Sequence, residues 1–367
     1  MSAKTRVGVL FGGRSCEHEV SVTSARSFME AIDTDKYEVT LIGISKEGRW
    51  LVADDAQHLL GTGVVEGDDL LPVLLDYPGS RQLVAQGGSG LQAANQTVDV
   101  IFPILHGPYG EDGTVQGLLE LAGIPYVGAG VVGSAVGMDK EMTRRIFRAE
   151  GLPQVDYAVI RRSRWEREPE VVQREIESRF PYPVFIKPVN LGSSVGVTKA
   201  HDPDEFRKGV DDAASFDYKV MVEAEAVGCR EVEVAVLGNE EPQASVVGEI
   251  VPCNEFYDYD AKYVDEDSEL IIPARISPET TEKIRQMALD VFRVVESAGL
   301  SRVDFFVSRK DESIYVNEIN TIPGFTPISM YPKLWAASGI SYGELIDRLI
   351  QLALERHRDK QKTRTAL

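Results

Sequence analysis

Apolar positions along this chain follow two rhythms, one with a period near two and one near 3.6, and their alternation predicts the elements. Residues 6–11 (RVGVLF) form a near-continuous apolar run closed by Gly12-Gly13, as expected of a strand buried on both faces. A helical pattern follows to about Ile32, and YEVTLIGIS at 37–45 reads as a second strand. Strand–helix–strand order predicts a parallel sheet. VDVIFPIL at 98–105 returns to that sheet, followed by HGPYGEDG, a helix over TVQGLLELA and the segment IPYVG. Residues 53–97, rich in Gly, Asp and Gln, read as an excursion from the sheet.

Residues 139–150 (DKEMTRRIFRAE) are predicted to be helical, and YAVIRRS, a helix around 169–179 and the strand PVFIKP at 183–188 come next. The loop VNLGSSVG leads into the strand VTKA, and Asp202-Pro203 opens another helix. KVMVEAEAVG at 219–228 reads as a strand running out into an interdomain linker. Beyond it lie EVEVAVLG, ASVVGEIV, an acidic and aromatic stretch at 253–267, and the helix SPETTEKIRQMALDVFRVVES. The strands VDFFVS (303–308) and IYVNEIN (314–320) precede a terminal amphipathic helix, ISYGELIDRLIQLALERHR. These shifts divide the 367 residues into three units, 1–127, 128–227 and 228–367.

Charge narrows the chemistry. A net charge of −19, from 39 basic and 58 acidic residues, argues against nucleic-acid or anionic-membrane binding, since either needs a basic face. A phosphate ligand would have to be met by a few local Lys or Arg residues and a cation. Cys16, Cys229 and Cys253 are widely spaced, which fits a reducing cytosol and suggests neither disulfides nor zinc. The N-terminal residues lead into a strand rather than a signal peptide, and no run of apolar residues is long enough to span a bilayer.

Two segments carry candidate chemistry. If VDFFVS and IYVNEIN pair as a hairpin centred near Asp311, Asp304 lies opposite Glu318 and Phe306 opposite Val316, with Asn320 on the same patch. Opposed carboxylates repel, and an all-oxygen set of this kind suits Mg²⁺. A hairpin whose polar end is simply exposed fits the pattern equally. The second segment, KPVNLGSSVG at 187–196, lies between two strands. Gly192 and Gly196 allow close backbone approach, Ser193 and Ser194 add donors, and Lys187 ends an apolar strand where its charge needs a partner. Such a lysine beside a Gly/Ser loop can clamp polyphosphate, the alternative being a flexible surface hairpin. FGGRS at 11–15 lacks a dinucleotide or Walker fingerprint and reads as a strand-to-helix turn. Glu223 and Glu231 could meet the amino and hydroxyl groups of an adenosine, but an exposed surface is the default reading of such residues.

Together these segments resemble the D-alanine–D-alanine ligases of the ATP-grasp superfamily. The similarity runs through VLFGGRSCEHEVS, IFPILHGPYGEDGTVQGLLELAGIPYVG, MDKEMTR, FIKPVNLGSSVGVTK, FYDYDAKY, SRVDFFV and NEINTIPGFTPISMYPKLW, in family order. It implies a three-domain ATP-grasp fold of mixed α/β and α+β class. An N-terminal Rossmann-like parallel-sheet domain would be followed by a small central α+β domain and a C-terminal ATP-grasp domain. It implies ATP-dependent joining of two D-alanines through a D-alanyl phosphate, for peptidoglycan synthesis, by a cytoplasmic homodimer. Asp304, Glu318 and Asn320 match the ligands of two Mg²⁺ (or Mn²⁺) ions. Lys140, Lys187, Gly192, Ser193, Ser194 and Gly196 match the phosphate clamp, and Glu223, Glu231, Lys262 and Asn317 match other ATP contacts. Glu17 matches the residue that holds the first D-alanine's ammonium group, with Ser193 and Tyr263 as its partners. Tyr263 also places a lid at 252–267 over the site. Arg302 and the backbone N–H of Gly324 match the oxyanion stabilisers, Ser329 and Met330 the second substrate's carboxylate site, and His106 an active-site histidine. The pair Lys262-Tyr263 favours an amine over a hydroxy acid as acceptor.

Overall fold

The computed structural model describes residues 3–53, 59–61, 63–67, 70–75, 81–85, 97–251 and 269–364. Its strands form three sheets. The first contains β1 (Thr5–Gly12), β2 (Tyr37–Ile44), β3 (Trp50–Val52), β4 (Leu71–Leu75), β5 (Leu83–Ala85) and β6 (Val100–Leu105), in the order β5-β4-β3-β2-β1-β6. β1 runs parallel to β2 and β6, as the strand–helix–strand order predicts. Both its faces are buried: Val7, Val9 and Phe11 enter one core and Leu10 another. At its end Gly12 and Gly13 take φ of 84° and 102°, the left-handed region open to glycine. That turn leads into helix His18–Ala31.

The expectation that residues 53–97 leave the sheet is corrected. β4 and β5 add antiparallel strands to its edge, burying Leu71, Val73 and Leu83 in the second core. The alternation of apolar residues there is too short to stand out among the glycines.

The second sheet comprises β7 (Tyr157–Arg161), β8 (Val184–Pro188), β9 (Thr198–Ala200) and β10 (Lys219–Ala224). It is antiparallel, in the order β7-β10-β8-β9. Helices Pro169–Glu177 and Pro203–Phe216 cover it through Val172, Ile176, Phe206 and Val210. The segment expected to run from a strand into a linker begins as β10, paired on both sides and ending at Ala224.

The third sheet is built from β11 (Cys229–Gly238), β12 (Gln243–Val251), β13 (Glu269–Ile271), β14 (Gly299–Ser308) and β15 (Ile314–Asn320). Its order is β13-β12-β11-β14-β15, antiparallel throughout. Alternation divides its faces. Val232, Val234, Val303, Phe305 and Val316 pack on helix Pro278–Val294, which offers Ile284, Ala288 and Val291. The same strands turn Glu231, Glu233, Asp304 and Glu318 to a cavity on the other face. Helices Met330–Ala337 and Tyr342–Lys360 close the chain, and the latter packs Leu345, Ile346 and Leu349 into the core of the first sheet. Among the described residues no helix is long and apolar enough to cross a membrane.

Candidate functional site

A cavity of ≈ 390 Å³ lies between the second and third sheets, lined by Lys140, Lys187, the loop after β8, Glu223, Glu231, Asp304, Asn317 and Glu318. That volume is within the range of small-molecule sites. Its wall begins with helix Lys140–Ala149, whose N-cap Asp139 accepts a hydrogen bond from the Met142 N–H at 3.1 Å. The cap aims Lys140 at the cavity, where its ammonium donates to the Leu191 carbonyl at 2.8 Å and lies 3.4 Å from Glu318. One turn on, the buried Arg144 binds Glu223 and donates to the Val316 carbonyl at 3.0 Å and to Asn317 Oδ1 at 3.3 Å. The second oxygen of Glu223 meets Lys187. Burial alone would raise the Glu223 pKa, but Arg144 and Lys187 outweigh it and hold the carboxyl below its ordinary value.

The Gly/Ser loop after β8 does more than bridge two strands. Ser193, Ser194 and Gly196 take φ of 47°, 57° and 70°, and Ser193 Oγ donates to Glu17 Oε1 across to the first sheet. A side chain at Gly192 would bring its Cβ to 3.0 Å from Glu17 Oε2, so glycine there lets the loop approach the carboxylate. Glu17 immediately precedes helix His18–Ala31. His18 fixes that turn: its Nδ1 donates to the Gly13 carbonyl at 2.8 Å, and its Nε2 accepts from the Val65 N–H at 3.0 Å.

His106 follows β6. Its Nδ1 donates to the Ile322 carbonyl at 3.1 Å, while Nε2 is buried with no partner among the described residues. Burial pushes the ring's pKa down, which favours the neutral tautomer with Nε2 as acceptor. Glu111 grips the same junction, accepting from the Gly107 N–H at 2.7 Å and the Ile322 N–H at 3.2 Å. The loop leaving β15 is therefore clasped from the first sheet by two side chains.

The expected pair Asp304–Glu318 is directly opposed across β14 and β15. The expected partner of Phe306 is corrected: Phe305 faces Val316 and Phe306 faces Tyr315, because a bulge intervenes. Asn317 is the extra residue, and the bulge turns its side chain to Arg144. Arg302 binds both oxygens of Asp304 at 2.7 Å and lies 3.0 Å from Glu233. Burial disfavours its charge, but these carboxylates keep Arg302 firmly cationic. Asn320 is opposite Arg302 and accepts from the Ile322 N–H at 3.2 Å.

Asp304, Glu318 and Asn320 offer oxygen alone, a donor set that fits a hard divalent cation of the Mg²⁺ class. Among the described residues no group of three or more His, Cys, Asp or Glu gathers to hold a metal, so such an ion would draw its remaining ligands from phosphate and water. Gly324 packs close to Ser329, whose Oγ accepts from the Thr326 N–H at 3.2 Å. The Met330 side chain is buried in the core with Leu334, so its contribution to a ligand is limited to the backbone at the start of its helix. Lys262 and Tyr263, with the expected lid at 252–267, lie outside the described residues.

Sequence reasoning missed Glu111, Arg144 and Glu233. Only Glu233 left a usable signal, two residues after Glu231 on the same strand face.

The family models described as D-ala D-ala ligase N-terminus and D-ala D-ala ligase C-terminus match residues 6–129 and 146–351. The D-alanine--D-alanine ligase of Ruminiclostridium cellulolyticum is 52% identical over 379 aligned positions, covering 99% of each chain. Among solved structures, the D-alanine-D-alanine ligase from Coxiella burnetii superposes with a TM-score of 0.84 at 39% identity, over 98% of this chain and 96% of that one. The VanG D-Ala:D-Ser ligase from Enterococcus faecalis gives 0.83 at 36% identity, over 96% and 100%.

Proposed function

The chain belongs to the D-alanine–D-alanine ligase family, and from that premise we propose that it joins two D-alanines at the expense of ATP, for peptidoglycan synthesis. The observation that carries this reading is the meeting of three sheets at one place. The nucleotide-type cavity opens between the second and third, and its Gly/Ser loop touches Glu17 at the end of the first.

ATP would lie in the cavity, its adenosine toward Glu223, Glu231 and Asn317. Its phosphates would meet Lys140, Lys187 and the backbone of residues 192–196, with Ser194 as a further donor. Lys262 is assigned to the nucleotide as well. Glu17, oriented by Ser193, would hold the ammonium group of the first D-alanine. A carboxylate oxygen of that D-alanine would then attack the γ-phosphorus, giving D-alanyl phosphate, and ADP would leave with the electron pair of the broken bond. The neutral amine of the second D-alanine would attack the acyl carbon of the D-alanyl phosphate; the C–O bond to phosphate breaks as the C–N bond forms, and the proton shed by nitrogen leaves on the phosphate. Negative charge on the carbonyl oxygen would be met by Arg302 and the Gly324 N–H. The neutral His106, through Nε2, can accept a hydrogen bond from a substrate ammonium. Ser329, with the backbone of Met330, would receive the second carboxylate at a helix start.

Asp304, Glu318 and Asn320 would hold two Mg²⁺ or Mn²⁺ ions, which supply charge neutralisation at the transferring phosphoryl group. A lid at 252–267 carrying Tyr263 would exclude water from the acyl phosphate. We also assign the protein to the cytoplasm, where ATP is available, as a homodimer, and take 1–127, 128–227 and 228–367 as its three units. The three separate sheets support that division.

The test is ADP release by the purified protein with Mg-ATP and one amino acid varied at a time. Turnover with D-alanine alone, yielding dipeptide, and none with L-alanine is the expected result. Adding D-serine or D-lactate should leave the dipeptide the main product. A mixed product that dominates at equal acceptor concentrations would reassign the second substrate, and no turnover with D-alanine would overturn the reading.

A further inference from the structure

Glu233 has no part in the reaction as described, yet the sheet gives it a costly position. It is 5% exposed, on the strand that sends Val232 and Val234 into the opposite core. A buried carboxylate is expensive without a partner, and Glu233 sits directly across from Asp304 in the β11–β14 ladder. Two such carboxylates repel. Arg302 relieves them both, 3.0 Å from Glu233 and in two-point contact with Asp304.

This arrangement sets up a conflict between two proposed roles. Both oxygens of Asp304 are engaged by the guanidinium that is assigned to the oxyanion. A divalent cation on Asp304 would draw on the same two oxygens and compete with Arg302 for their charge. A buried arginine stripped of its counterion is strongly unfavourable. Glu233 offers another. It belongs to β11, which flanks β14 on the side away from β15, whereas the other acidic cation ligand, Glu318, is on β15.

We propose that Glu233 is a positioning residue that retains Arg302 in the site when Asp304 turns to a divalent cation, so that one arginine and one aspartate do not compete. This rests on the metal-site reading of Asp304, Glu318 and Asn320. Without Glu233, Arg302 would fall back on Asp304 and contest the cation.

The test is titration of the intact protein with Mn²⁺ at saturating ADP, read by electron paramagnetic resonance, alongside ADP affinity in EDTA. Glu233→Gln is expected to weaken Mn²⁺ uptake about tenfold, the usual scale for lost outer partners of metal ligands. Metal-free ADP affinity should be unchanged. Glu233→Asp, which keeps the charge on a shorter arm, should fall between. Wild-type Mn²⁺ affinity in Glu233→Gln overturns the inference, and so does an equal loss of metal-free ADP binding, which would mark a general lesion. If Glu233→Gln does not fold, Glu233→Asp carries the test: an intermediate loss supports the role, and wild-type affinity overturns it. A wild-type chain that takes up no Mn²⁺ overturns both this inference and the metal reading beneath it.

Discussion

At the scale of single residues, Glu111 combines two opposing influences. Backbone N–H groups of Gly107 and Ile322 point at its two oxygens and favour a charged carboxylate. Burial opposes them, helped by the negative charge of Glu17, while Lys140 assists the charged form only weakly; together they push the pKa up to about 8. The unfolded chain would release this proton near the ordinary 4.5 and the folded chain only near 8. Across that window the folded state binds more protons, so the Glu111 contribution to stability falls as pH rises. Glu111→Gln cannot lose a proton, but its amide can accept only one of the two N–H bonds. The variant should be less stable than wild type by about 1–3 kcal/mol in mild acid, where Glu111 is neutral. That deficit should shrink as pH climbs from about 4.5 to about 8, because folding of the wild type must then take up a proton on Glu111, and level off above that. Thermal midpoints of both proteins on either side of the window check it. The neighbouring Glu17, Lys140 and His106 are common to both chains and largely cancel in the difference. A deficit that is flat with pH would mean Glu111 is already ionised in mild acid.

At the scale of elements, helix Lys140–Ala149 works as a rail along the cavity. Lys140 and Arg144 are four residues apart and share one face, so the helix presents one cation to Glu318 on β15 and another to Glu223 on β10. Arg144 also holds the β15 bulge through Val316 and Asn317. Arg144→Ala should cost about 3–5 kcal/mol, because it leaves a buried carboxylate with one partner fewer. It should raise KM for ATP while leaving KM for D-alanine near wild type, and Arg144→Lys should do less of each. Urea melts and substrate saturation curves provide the measurement; an Arg144→Ala protein with wild-type stability and ATP saturation would remove this role. The sequence reveals only part of this architecture. Alternation and a polar turn suffice to pair Asp304 with Glu318, but one inserted residue leaves the pattern on either side intact, and so the bulge at Asn317 is hidden. The buried face of the helix contains Glu141, Thr143 and Arg144 beside Phe147, and hydrophobic periodicity therefore does not mark it. Glu111 likewise reads as a surface charge until tertiary contacts bury it.

At the scale of the whole molecule, the cores show which parts stand together. One cluster joins Val9 and Phe11 of the first sheet, Ala235 and Leu237 of the third, and Leu345 and Leu349 of the last helix. The second sheet keeps a core of its own around Phe206, Ile186 and Val222. Polar contacts dominate the sheet's ties to the first sheet and to helix Lys140–Ala149, whose Phe147 packs in the core of the third: Ser193 to Glu17, Arg144 to Glu223, Lys219 to Asp139 and Lys140 to the Leu191 carbonyl. Such ties contribute less cooperativity than shared apolar burial. Calorimetry without nucleotide should therefore resolve an early transition for the second-sheet unit, followed by the main one. A nucleotide bound as proposed, bridging Lys187 and Glu223 on one side to Asn317 and Glu318 on the other, would couple the two. The chain's net charge of −19 repels such an anion at long range, so in the proposed reading its capture would fall to Lys140, Lys187 and a bound cation. At a hundredfold excess over Kd, Mg-ADP stabilises the state that binds it by about 2.7 kcal/mol. For a unit this small the early transition should rise by roughly 10 °C or more and approach the main one. A single transition in the absence of nucleotide would mean that the polar ties already bind the three sheets into one cooperative body. An early transition that Mg-ADP fails to move would instead place the nucleotide away from the junction of the second and third sheets.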